Sequence, residues 1–229
     1  MKRIALVLAG LLLASAAHAG VGFVNLGTAA PPLQINGVPV VPFDLAPQAA
    51  IADLTVVTAI PGSPIGGSLT LNEGIGKATV PGTWGTWSHG YTGPIFATPY
   101  AAGTSATNRT LTLPAGATAF YVYVEPNTFG VFNVECTTNS GVSSGLIPVN
   151  GASGATGFAF YATQGDTLAT VTVDVDPAGG GFAIGEFGVA DVFVGSPTVI
   201  PTLSVAGFTA LALALGLAAF VLLRRRRSA

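Results

Sequence analysis

Nineteen residues, Val205 to Leu223, run without a charge and end against four consecutive arginines, Arg224, Arg225, Arg226 and Arg227. Coiled as a helix, a run of that length crosses the hydrocarbon core of a bilayer. Its most polar member, Thr209, can return its hydroxyl to the preceding turn. Four arginines are costly to carry through hydrocarbon, so Arg224, Arg225, Arg226 and Arg227 act as the stop of the membrane anchor and hold their end in the cytoplasm. The expectation is a transmembrane helix over 205–223 and a cytoplasmic tail over 224–229, with everything before Ile200 across the membrane.

The N-terminus carries a second apolar segment. Lys2 and Arg3 precede Ile4 to Leu13, and Ala17-His18-Ala19 follows. A basic start, a short apolar core and a small-residue site are the parts of a secretory signal peptide, here residues 1–19 with cleavage after Ala19. The core is too short to favour a retained helix. Between the two ends lies an exported body, residues 20–194, joined to the helix by a linker at 195–204.

That linker contains Ile200-Pro201-Thr202-Leu203, followed by the apolar run and the arginine cluster. This three-part ending resembles the sorting signals of bacterial exosortase substrates, and the tetrapeptide resembles the IPTL-CTERM variant of the PEP-CTERM class. The usual Ser-Glu-Trp-Gly continuation of that class is replaced here by Ser204-Val205-Ala206-Gly207. The resemblance covers about the last thirty residues. It implies that a membrane-embedded cysteine transpeptidase recognises the signal, cuts it and passes the ectodomain to the surface. The plainer alternative is a single-pass anchor.

Charge is distributed unevenly. The body holds all ten Asp and Glu but only two basic residues, Lys77 and Arg109, which leaves it at a net −8. Nucleic-acid binding rests on neutralising phosphates with Lys and Arg, so that class is excluded. Cys136 is the only cysteine, which rules out an internal disulfide. Period-2 alternation places it on one strand face with Phe132 and Val134, with Val131, Asn133 and Glu135 opposite, so an inert buried thiol is expected.

No part of the body shows a helical period. Short β-rich runs recur between Gly, Pro and Asn punctuation, the pattern of a sandwich or barrel. Strands are predicted at 33–41, 51–59, 67–71, 77–80, 91–97 and 109–113, then at 119–125, 130–137, 157–162, 168–176, 182–187 and 189–194. In two of them the alternation is plain. Phe120, Val122 and Val124 oppose Tyr121, Tyr123 and Glu125, while Val171, Val173 and Val175 oppose Thr170, Thr172, Asp174 and Asp176. Strands with one apolar and one wet face belong to antiparallel sheets. The expected fold is an all-β, antiparallel, jelly-roll-like β-sandwich. Three blocks, 86–93, 119–130 and the glycine turn 179–181 leading into Phe182 to Phe187, resemble β-sandwich ectodomains found ahead of PEP-CTERM-type signals.

Three groups of residues could carry chemistry. Trp84, Trp87, His89, Tyr91 and Tyr100 crowd into a glycine-rich stretch. Exposed rings there would stack on sugars, work suited to a protein in an exopolysaccharide matrix; buried rings would be packing. Asp174, Asp176, Glu186 and Asp191 could supply oxygens to calcium, although Asp174 and Asp176 also read as solvent-face residues. Catalysis has little to draw on. His89 is the sole histidine after signal cleavage, and no nucleophile elbow, zinc spacing or phosphate loop occurs. A Cys136–His89 dyad would need a thiol that alternation buries. A paired-carboxylate glycosidase stays open, because its two acids need no fixed spacing. Asn108-Arg109-Thr110 has the glycosylation pattern, but the terminal signals look bacterial and the match is taken as chance.

The sequence therefore points to an exported, cofactor-free and non-enzymatic bacterial surface or matrix protein, with an exosortase-like transpeptidase as partner. A carbohydrate-binding module built on Trp84 to Tyr100 is the alternative.

Overall fold

The computed structural model describes residues 20–101, 103, 106–163 and 165–191, all within one compact unit, His18–Val194. The expected signal peptide 1–19, the linker with Ile200, Pro201, Thr202 and Leu203, and the expected helix 205–223 lie outside the described residues. So do the four arginines expected to stop that helix, Arg224, Arg225, Arg226 and Arg227. Among the described residues, no helix is long and apolar enough to cross a membrane.

The body is all-β and antiparallel. Its strands are β1 (Gly20–Gly27), β2 (Gln34–Ile35), β3 (Val38–Pro39), β4 (Val41–Pro42), β5 (Val56–Ile60), β6 (Leu69–Val80) and β7 (Gly93–Ala97). They continue with β8 (Asn108–Thr112), β9 (Ala119–Pro126), β10 (Val131–Thr138), β11 (Ile147–Asn150), β12 (Thr156–Thr163), β13 (Thr170–Val175) and β14 (Phe182–Ala190). A five-residue α-helix, α1 (Leu45–Ala49), is capped by the Asp44 carboxylate, whose Oδ1 accepts from the Ala46 N–H at 2.9 Å.

Twelve strands form one curled sheet, in the order β1-β12-β9-β14-β7-β6-β8-β13-β10-β11, with β4 added to β14 and β5 to β6. The curl is made by β6, which exchanges partners along one edge. Its Thr70 and Leu71 pair with Thr112 and Leu111 of β8, and its Gly76 to Val80 pair with β7. The other edge carries β5. A strand that exchanges neighbours in this way lets the sheet curl without breaking the ladder.

The two wings close on one apolar core. Phe120, Val122 and Val124 of β9, Phe158 and Phe160 of β12, and Phe182 and Ile184 of β14 meet Leu111, Val134, Cys136, Val171, Val173 and Val175 from the other wing. The wing of β8, β13 and β10 follows the expected alternation: Val171, Val173 and Val175 are buried, and Asp174 and Asp176 are exposed. On β9 the alternation misleads. Its second face, Tyr121, Tyr123 and Glu125, is buried as well. The two tyrosines belong to a second apolar cluster with Ile35, Val38, Val40, Trp84 and Trp87, contributed by the β2–β3 hairpin and the segment after β6.

Several boundaries differ from expectation. The run 33–41 is a two-residue hairpin, turned at Asn36 and Gly37 with φ of 49° and 80°; this is the Asn-Gly turn whose positive φ values suit paired strands. The segments 67–71 and 77–80 are one strand, and 182–187 continues to Ala190. The expectation overlooked β1, β11 and α1. β11 is four residues long with Pro148 inside it, and α1 is too short to show a period.

Candidate functional site

The segment from Thr83 to Tyr91 lies over the second face of β9 and β14, and two glutamates, Glu125 buried and Glu186 half-buried, hold it there. Glu125, on β9, is fully buried. Its carboxylate accepts from Trp84 Nε1 (3.0 Å), Thr86 Oγ1 (3.0 Å) and the backbone N–H groups of Ser153 (2.9 Å) and Gly154 (3.3 Å). Burial pushes this carboxyl above its ordinary range, and the four donors oppose that rise. With both oxygens engaged, Glu125 ties the Trp84 segment to the 151–154 turn.

Glu186 is placed by an irregularity in β14. From Gly185 to Gly188 the strand advances three residues while β9 advances two, from Tyr123 to Tyr121. The extra residue is a β-bulge, and Glu186 takes φ of 49° within it. The strand also changes its outer neighbour there. Ala183 to Gly185 pair with β7, and Gly188 and Val189 pair with β4. The side chain of Glu186 is 8 % exposed. It accepts from Trp87 Nε1 at 2.6 Å and meets His89 Nε2 at 3.0 Å. Burial raises the Glu186 carboxyl, against the pull of His89 and Trp87.

His89 shows 14 % of its side chain and lies edge-on to Tyr123. Its Nδ1 is 2.9 Å from Ser88 Oγ and 3.2 Å from the Thr28 carbonyl. Nε2–H donates to Glu186, and Nδ1 lies between the Ser88 hydroxyl and the Thr28 carbonyl. Tyr91, Tyr121 and Tyr123 all have hydroxyl pKa values raised, by burial first and then by the charge of Glu186.

No family model, no curated protein and no solved structure matches the chain.

Beside Glu186, where β7 and β4 part along the edge of β14, a cleft of about 270 Å³ opens. It is lined by Pro31, Pro42, Phe43, Leu45, Tyr91, Tyr121, Glu186 and Phe187. Of the aromatic group singled out in the sequence, only Tyr91 reaches it. Trp84 and Trp87 are each 6 % exposed with their N–H groups committed to glutamates, so neither offers a face for a sugar ring. Tyr100 donates to the Thr83 carbonyl at 2.5 Å and is likewise a packing residue.

The four carboxylates proposed as calcium ligands do not form one set. Asp174 and Asp176 share a hollow of about 280 Å³ with Glu135 in the β10–β13 wing, while Glu186 is bonded to Trp87 and His89 and Asp191 is exposed after β14. Among the described residues, no three His, Cys, Asp or Glu are grouped to hold a metal. Cys136 is fully buried in the inner core, and its pKa is raised well above the ordinary thiol value, by burial first and then by Asp174 and Glu135. It sits apart from the contacts made by His89.

Both basic residues of the body are inside it. Lys77 pairs with Asp53 and bonds Thr79 Oγ1 at 2.6 Å. The fully buried Arg109 reaches Glu73 at 3.2 Å and the Gly74 carbonyl at 2.9 Å. The sequence counted these as two cations against ten acids; among the described residues, no Lys or Arg side chain lies on the outside.

Proposed function

We propose that this is an exported, non-enzymatic surface or matrix protein of bacteria. It is held by a C-terminal helix, stopped at Arg224 to Arg227, and then processed by an exosortase-like transpeptidase at the Ile200–Leu203 motif. The observation that carries the reading is the fate of the body's two cations. With Lys77 and Arg109 buried in ion pairs, no Lys or Arg side chain is exposed among the described residues, and an acidic exterior of that kind would make molecules repel one another and stay soluble at high density. The tryptophan-rich segment supports the same view, because its polar groups are spent on fastening the fold. We read the two wings as the faces of a jelly-roll-like sandwich that share β6.

The test separates recognition from anchoring. Proline biases the residue before it towards an extended backbone, so an extended Ile200 just outside the expected helix is the shape a transpeptidase on that side could grip. Pro201→Ala with Thr202→Ala should leave membrane insertion intact and block processing. The mutant then accumulates in the membrane fraction with its C-terminal tail, while wild type loses the tail. Processing that is the same in both would reduce the segment to an anchor.

A further inference from the structure

We propose that two copies of this chain pair through β1, antiparallel and about a two-fold axis at Phe23, so that their sheets join into one. β1 ends the main sheet, and among the described residues β12 is its only strand partner. An edge of this kind offers a row of backbone donors and acceptors to another extended chain, and folded proteins blunt it with short strands, proline, bulges or charge. β11, β4 and β5 show those devices. β11 has four residues and contains Pro148, β4 has two residues, and β5 has five with a register shift between Val57 and Ala59. β1 is eight residues long, has neither proline nor charge, and keeps its register from Gly20 to Asn25. Both of its faces are apolar. Val21 and Phe23 pack on the inner core and Val24 and Leu26 on the second cluster, and all four stay only partly buried.

Charge selects the occupant. The body carries a net −8, yet neither β1 nor β12 holds a charged residue. A second copy is repelled over the acidic surface but meets no like charge on these two strands, whereas a basic partner would gain nothing there. Self-complementarity then sets the register. Residues opposite one another across an antiparallel pair share a face, so the two-fold axis must pass through a residue and not between two. With the axis at Phe23, that ring meets its own copy, Gly22 lies opposite Val24, and Val21 lies opposite Asn25, all within the regular stretch. Glycine leaves room for the valine. The Phe23 pair carries an aromatic row across the junction, since Phe23 already lies 5.2 Å from the ring of Phe160 and 6.2 Å from that of Phe158. Ala190 of β14 is level with Gly22 through Ala119 and Tyr161, so the two copies of β14 end in opposite directions. That arrangement suits copies released from a membrane better than two anchored side by side, but the pairing itself does not depend on how the C-terminus is processed.

The experiment is sedimentation of the full chain in a nonionic detergent over a concentration series, with circular dichroism to monitor folding. Wild type should form a dimer. Val24→Lys sets two like charges near the axis and should raise the dissociation constant at least tenfold with an unchanged spectrum. Because a lysine at a partly buried position could also loosen β1, a cysteine pair provides a second readout. Val21→Cys with Asn25→Cys should form a disulfide between copies under mild oxidation, while either substitution alone should not, because only the pair sets two thiols opposite each other. Cys136 is fully buried and gives no background. A monomeric wild type, a folded Val24→Lys variant that dimerises as tightly as wild type, or a double variant that does not cross-link would each overturn the proposal.

Discussion

Replacing Asp53 by asparagine removes the counter-charge of one buried cation. Lys77 exposes 6 % of its side chain, and Asp53 answers it from a position that is 30 % exposed. The carboxylate also accepts from Thr79 Oγ1 at 2.7 Å and Thr83 Oγ1 at 2.6 Å. Burial alone would raise its pKa; the hydrogen bonds from Lys77, Thr83 and Thr79 and the charge of Lys77 outweigh burial and bring it from 3.8 to about 2. A depression of that size corresponds to about 2.5 kcal/mol, which solvent screening of the half-open pair reduces to roughly 1–2 kcal/mol. Asn also leaves the Lys77 ammonium without an anion, a loss that costs about 3–5 kcal/mol where both partners are fully buried. For this partly exposed pair we expect about 2–3 kcal/mol for Asp53→Asn, or a melting temperature lower by roughly 5–10 °C in a domain of this size. The sign with pH follows from the depressed value. The stabilisation is complete above the unfolded value of 3.8 and is lost as pH falls towards about 2. The gap between wild type and variant should therefore close over that window, and Asp53→Asn with Lys77→Met should regain most of the loss. Urea denaturation followed by circular dichroism at several pH values measures both. A variant within about 0.5 kcal/mol of wild type at pH 7, or a gap that does not narrow in acid, would refute the assignment.

Two other substitutions test the second core. A Cβ on Gly188 would lie 2.1 Å from Tyr121 Cε1 and 2.4 Å from its Cζ, and that ring is too buried to retreat. Gly188→Ala should cost about 1–3 kcal/mol in denaturant unfolding; an unchanged midpoint would show that the bulge is loosely packed. Trp84→Phe removes one of the four donors to Glu125 and should destabilise by about 1–3 kcal/mol. Glu125 already has a raised pKa, so folding favours its protonated form and the loss of a donor penalises the charged form further. The Trp84→Phe deficit should thus be larger at pH 8 than at pH 4, and a deficit independent of pH would mean that only ring volume was lost.

The sequence by itself determined the class of this body. Alternating valines on β13, and Phe120, Val122 and Val124 on β9, dictate antiparallel strands, because a period of two leaves one side chain in each pair on a given face. The same period buries Cys136. What the other face meets is not a local property. Tyr121, Tyr123 and Glu125 alternate as properly as Thr170, Thr172 and Asp174, yet the first set is buried by segments some thirty-five to ninety residues away in the chain. Only the tertiary structure decided that Glu125 would take four donors, or that Lys77 and Arg109 would turn inward. One local signal for Glu186 was available: a lone charge between Gly185 and Gly188 in an otherwise apolar strand marks a bulge. The cleft beside it depends on β14 trading β7 for β4, a pairing over sequence separations of roughly 90 and 150 residues that no window of sequence contains.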